Sequence, residues 1–115
     1  MSIRYSEVFP LLAKAVTGFE PDDEDWREPT PYFFLADMIR FVCQKFGTGS
    51  DFQATELGAC LERLLTEGDS DIRDLVLDGL ETLRDQCIWS ERIAEHFAPR
   101  GRELWRSVSS RPESA

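Results

Sequence analysis

His96 is the single histidine of the sequence, so any nucleophile activated by an imidazole has to use it. The nearest hydroxyl along the chain, Ser90, stands where a helix cap is needed, and no G-x-S-x-G elbow occurs. His96 itself falls on a short amphipathic segment and reads as a surface or half-buried side chain. Asp69 and Asp71 have the spacing that opens a calcium loop. Arg73 and Asp74, however, stand where such a loop needs a ligand and its turn glycine. Asp22, Asp23, Glu24 and Asp25 are contiguous, and neighbouring carboxylates on a loop seldom converge on one ion; they read as a solvated acidic loop. No phosphate-binding glycine loop, zinc spacing or basic aromatic patch is present. We therefore expect no catalytic residue, no metal and no cofactor.

One constellation does stand out. In the run Gly68 to Cys87, Ile72, Leu75, Val76, Leu80, Leu83 and Cys87 recur at the spacing of one side of an α-helix. At about 100° per residue, Asp71, Asp74, Asp78, Glu81 and Asp85 then share the opposite side. Like charges three and four residues apart cost a few tenths of a kcal/mol per pair, roughly. The stripe is thus written slightly against its own helix, which suits contact with a basic partner as well as plain solvation.

Composition points the same way. The chain has 115 residues with 22 acidic against 13 basic, a formal charge of −9. That field opposes binding to nucleic acid or to anionic membranes and speeds encounter with a cationic protein. The apolar share of 42% is that of a globular protein. The N-terminal segment lacks an apolar signal stretch, so a cytoplasmic location is expected. Cys43, Cys60 and Cys87 are odd in number, lack a C-x-x-C pair and fall on apolar helix faces. They are expected to be three small core hydrophobes in a reducing compartment.

Positioning these groups requires an all-α fold of five or six helices, an irregular bundle forming one domain over residues 1–108, with 109–115 a frayed tail. A short first helix covers Val8 to Val16 and ends by Gly18. Pro21 and Pro29 bracket the acidic loop, in which Trp26 anchors the loop to the core or makes contacts itself. Thr30 as cap and Pro31 as first residue open a second helix that Gly47 closes. Leu35, Met38, Ile39, Val42 and Phe46 form its inner stripe, widened by Phe33, Phe34 and Phe41, and Asp37 and Arg40 are placed to pair. Ser50 and Gln53 form a capping-box pattern for a third helix reaching Glu67. The acidic helix follows almost at once, as an antiparallel hairpin. Asp51 to Asp85 holds ten acids against Arg63, Arg73 and Arg84, leaving −7 of the −9. Ser90 then caps a helix through Phe97, and Pro99 breaks it or starts the last one, with Leu104, Trp105 and Val108 inward.

The segments Phe34 to Phe41, Gly68 to Leu83 and Ala98 to Trp105, in that order and spacing, make the chain resemble a family of small, acidic, all-helical bacterial proteins of largely uncharacterised function. Gly79 stands where the resemblance leads one to expect a bulky aromatic, implying a looser or re-aimed helix contact. In size, charge and architecture the chain also looks like the compact acidic immunity proteins encoded beside bacterial toxins, which implies neutralisation of a toxin by occupying its basic cleft.

The expected activity is therefore binding, not catalysis. The partner is a basic protein, and the contact residues are Asp71, Asp74, Asp78, Glu81 and Asp85, joined by Asp22, Asp23, Asp25 and Trp26. A regulatory or scaffold homodimer through an apolar helix face at Phe33 or Trp105 is the rival reading. A small-ligand pocket among Phe33, Phe34, Met38 and Trp89 is the third.

Overall fold

A computed structural model describes residues 7–19 and 31–110, save the side chains of Phe9, Pro31 and Phe33. Six helices follow one another: α1 (Val8–Ala13), α2 (Pro31–Gly47), α3 (Phe52–Glu67), α4 (Ser70–Gln86), α5 (Ser90–Ala94) and α6 (Pro99–Ser109). The all-α expectation holds. No buried polar or charged residue interrupts the core among the described residues. Every apolar position assigned to the inner side of α4 is buried, from Ile72 to Cys87.

The most extensive helix contact joins α2 to α4, and Gly79 makes it possible. A Cβ at Gly79 would lie 2.6 Å from Cδ2 of Leu35 and 3.1 Å from Cδ1 of Ile39. The missing side chain thus lets α2 seat closer, the reverse of the looser contact expected there. Gly58 does the same for α3, where a Cβ would stand 2.7 Å from the His96 carbonyl oxygen.

Two expected helix starts are corrected. Asp51, not Ser50, is the N-cap of α3 and makes no side-chain cap bond. The Ser50 hydroxyl donates instead to Oε1 of Gln53 at 2.7 Å. Trp89, not Ser90, precedes α5, which ends at Ala94 instead of Phe97. Pro99 starts α6, as its fixed φ and missing N–H allow at a first position. That helix runs to Ser109, one residue beyond the expected end at Val108, with Ser110 as C-cap, and residues 111–115 of the expected tail lie outside the described residues. The last turn of α1 likewise stops at Ala13, short of Val16. The helix closed at Gly47 is followed by the left-handed residue, Gly49, with φ 99°.

The expectation of three free thiols is overturned for two of them. Cys43 of α2 and Cys87, the C-cap of α4, form a disulfide across 44 residues of sequence. Only Cys60 is a free cysteine, and it is buried. An odd count and the absence of a C-x-x-C motif say nothing about two positions that only helix packing brings together. No helix of the described residues is long and apolar enough to cross a membrane.

Candidate partner-binding surface

Asp69 starts the acidic helix. Its Oδ1 accepts the backbone N–H groups of Asp71 and Ile72 at 3.1 and 3.2 Å, satisfying two of the donors that a helix start leaves open. From there the apolar side of α4 packs inward and fixes the opposite side outward. Asp71, Asp74, Asp78 and Asp85 are exposed and Glu81 is half-buried. From Asp71 to Asp85 the stripe is about 21 Å long at 1.5 Å per residue.

The five do not have equal freedom. Asp85 accepts two hydrogen bonds from the neighbouring Arg84, at 2.8 and 3.3 Å. That guanidinium holds its carboxyl below the usual carboxylate range. Arg84 in turn donates to the Val108 carbonyl at 3.0 Å, fastening α4 to the end of α6. Asp71, Asp74 and Asp78 have no side-chain ion pair or hydrogen bond among the described residues. They are the open part of the stripe. Asp22, Asp23, Asp25 and Trp26 lie outside the described residues.

Other acids of the same hairpin have internal tasks that periodicity could not show. Glu62 reaches across to the start of α6, where Oε1 accepts the N–H groups of Arg100 and Gly101, each at 3.0 Å. It caps that helix from outside, and a carboxylate is favoured at this positive end. Glu56 accepts the N–H and the hydroxyl of Thr17 at 2.8 Å each, tying the segment after α1 to α3. Glu67 pairs with Arg63 at 3.1 Å. The −7 of the hairpin is therefore partly scaffold and partly open surface.

At the C-terminal end of α4 the chain is held from several sides. Arg40, paired with Asp37 at 2.8 Å as its spacing predicts, also donates to Oε1 of Gln86 at 2.8 Å. The disulfide follows at the next residue. Trp89 packs over Gly47 and against Phe46, with ring centroids 6.0 Å apart. His96 faces the edge of Phe46, and its Nδ1 lies 3.2 Å from the Thr55 hydroxyl. These contacts give His96 a packing role at this end of the bundle.

Of the residues named for the two rival sites, the side chain of Phe33 lies outside the described residues, and Trp105, Phe34, Met38 and Trp89 are described. Trp105 is only 3% exposed and its indole N–H donates to Glu91 at 3.3 Å, so it offers no dimer face. Phe34 and Met38 are closed into the core, and the pocket that Trp89 lines with Phe46, Gly47 and His96 includes neither of them. Among the described large apolar side chains, the exposed ones are Phe52 at 56% and Ile88 at 89%. Neither was singled out by periodicity, because both lie in the connections between helices or at a helix's first position.

No group of three or more His, Cys, Asp and Glu side chains suited to a metal ion occurs among the described residues. No curated protein and no solved structure matches the chain. A match over residues 5–111 spans all six helices, and on that ground the chain belongs to the family described as a domain of unknown function, DUF7674.

Proposed function

We propose that this protein is a non-catalytic binding protein that docks a basic partner protein through the outer side of α4, in the manner of an immunity protein that neutralises a toxin. The observation that carries the reading is the open row Asp71, Asp74 and Asp78. Three carboxylates face outward on a helix whose other side is entirely core, and no cation of the described chain answers them. Three other acids of the same hairpin are matched, Glu62 to a helix start, Glu56 to Thr17 and Glu67 to Arg63. The unmatched ones repel one another by a few tenths of a kcal/mol per pair, roughly. A cationic partner would turn that repulsion into steering and pairing.

The test uses the product of the neighbouring gene, purified and titrated against the wild-type protein and the double variant Asp74→Lys/Asp78→Lys. The variant keeps or raises thermal stability, since its lysines face Asp71 and Glu81 as opposite charges while the like-charge spacing between positions 74 and 78 is kept and not added to. Its affinity for a basic neighbour falls about tenfold or more, and the salt dependence of binding flattens. Equal affinity of the two proteins would remove the α4 surface from the reading.

A further inference from the structure

We infer that Arg73 of α4 and Arg100 of α6 form an anion-binding site, and that its ligand is a small organic oxyanion, a phosphate monoester or a carboxylate with a short apolar body. The site is separate from the acidic row of α4 and does not depend on that row's being a docking surface.

The cleft that holds the two arginines lies where α3, α4 and α6 meet. It has a volume of about 320 Å³ and is lined by Leu65, Arg73, Arg100, Glu103, Leu104 and Ser107. That is the small end of the usual range for ligand sites, about 300–1,000 Å³, and suits a metabolite better than a polymer. Arg100, Glu103, Leu104 and Ser107 recur at the spacing of one side of a helix, so α6 makes one wall. Both ends of that wall are fastened. Glu62 accepts the Arg100 and Gly101 N–H groups at 3.0 Å, and Arg84 donates to the Val108 carbonyl at 3.0 Å. Arg73 comes to the cleft from α4. At about 100° per residue it lies about 130° round that helix from the middle of the row Asp71, Asp74 and Asp78, and about 20° from Arg84, which reaches α6. Leu104, 8% exposed, and the half-buried Leu65 supply an apolar floor.

The pairing of the arginines identifies the ligand. Neither guanidinium has a hydrogen bond or ion pair among the described residues, whereas Arg40, Arg63 and Arg84 each meet a carboxylate. With 22 acids for 13 bases, carboxylates are not scarce in this chain. Even Glu103, which lines the same cleft, pairs with neither. The lining carries two positive charges against one negative, the reverse of the chain's −9, and a cleft dominated by one sign concentrates ions of the other. Guanidinium groups hold carboxylate and phosphate oxygens through paired N–H bonds. The Ser107 hydroxyl adds a neutral donor, Glu103 an acceptor for a hydroxyl or amino group of the ligand, and the two leucines a surface for its carbon skeleton.

The test titrates phenyl phosphate and phenylacetate into the isotope-labelled protein and follows the backbone amide signals by NMR, with inorganic phosphate and phenol as the two halves of the first probe. The expected result is saturable movement at Leu65, Arg73 and Arg100 to Ser107 with at least one organic anion, weaker binding of inorganic phosphate and none of phenol. The tighter of the two organic anions separates a phosphate ligand from a carboxylate one. Arg73→Gln and Arg100→Gln each weaken binding about tenfold or more, while Arg92→Gln, which removes an equal charge from α5 outside the cleft, leaves it unchanged. Arg73 and Arg100 are exposed, and matching melting curves show that their variants are folded. No saturable movement with either organic anion, or movement that survives both cleft variants, would overturn the site. An equal loss with Arg92→Gln would reduce the effect to bulk charge and overturn it as well. Inorganic phosphate binding as tightly as phenyl phosphate would overturn the organic ligand, and an oligoglutamate peptide that displaces phenyl phosphate and binds more tightly would replace it with an acidic chain.

Discussion

Replacing Gly58 with alanine sets two effects of opposite sign against each other inside α3. Helix propensity alone favours alanine over glycine in a helix interior by about 1 kcal/mol. The added Cβ, however, would stand 2.7 Å from the His96 carbonyl oxygen and 3.0 Å from Cα of Phe97. Both are backbone atoms, so the segment joining α5 to α6 has to move as a unit. Overpacking of this kind costs about 1–3 kcal/mol, and backbone contacts belong at the upper end. The net expectation is a loss of about 1–2 kcal/mol, or a melting temperature lower by about 4–8 °C for a chain of this size. Two further variants calibrate the result. At Gly79 the nearest atom is the far end of Leu35, so alanine there should fall between wild type and Gly58→Ala. At Gly101 the nearest atom is 3.7 Å away, an ordinary contact, so alanine should stabilise by a fraction of a kcal/mol. Urea titrations followed by circular dichroism give all three midpoints. A Gly58→Ala midpoint at or above wild type would refute the claim that close backbone approach dictates this glycine.

Reducing the Cys43–Cys87 bond releases a loop spanning 44 residues, and the chain-entropy relation puts the resulting loss near 4 kcal/mol; denaturant midpoints with and without a dithiol measure it. Glu62→Ala leaves the N–H groups of Arg100 and Gly101 to solvent and should cost about 1–2 kcal/mol, whereas a Glu103→Ala control on the exposed side of α6 should cost little. Burial pushes the Cys60 thiol up to about 12 from 9.0, with Arg63 opposing, so the native protein should resist alkylation at neutral pH until unfolded. Because the folded state disfavours the thiolate, the stability tied to Cys60 is full below pH 9 and lost between pH 9 and 12. The slope is at most about 1.4 kcal/mol per pH unit, and Cys60→Ala should remove that share of it.

The helices were legible wherever one face is apolar over several turns. The alternation from Ile72 to Leu83 defines α4 and its outward carboxylates, and Pro31 marks the first residue of α2. What stayed hidden depends on groups distant in sequence. Ser50 looks like a cap because the local pattern is right, yet its hydroxyl meets the Gln53 side chain instead of a helix N–H. Glu62 looks like one more surface acid until α6 arrives beside it. Gly79 reads as a weak point in a helix, and only the presence of Leu35 and Ile39 makes it the place of closest approach. The pairing of Cys43 with Cys87 has the same character. Of the candidate sites, charge periodicity gave the row on α4, but the meeting of Arg73 with Arg100 required α6 to pack beside α4.

The bond between Cys43 and Cys87 also bears on how the chain survives cleavage. Both interhelical connections of the central hairpin, the one before α3 and the one at Gly68 and Asp69, lie between the two sulfurs. A protease that severs a single peptide link in either connection produces two pieces that still travel as one molecule. They separate on a gel only after a thiol is added.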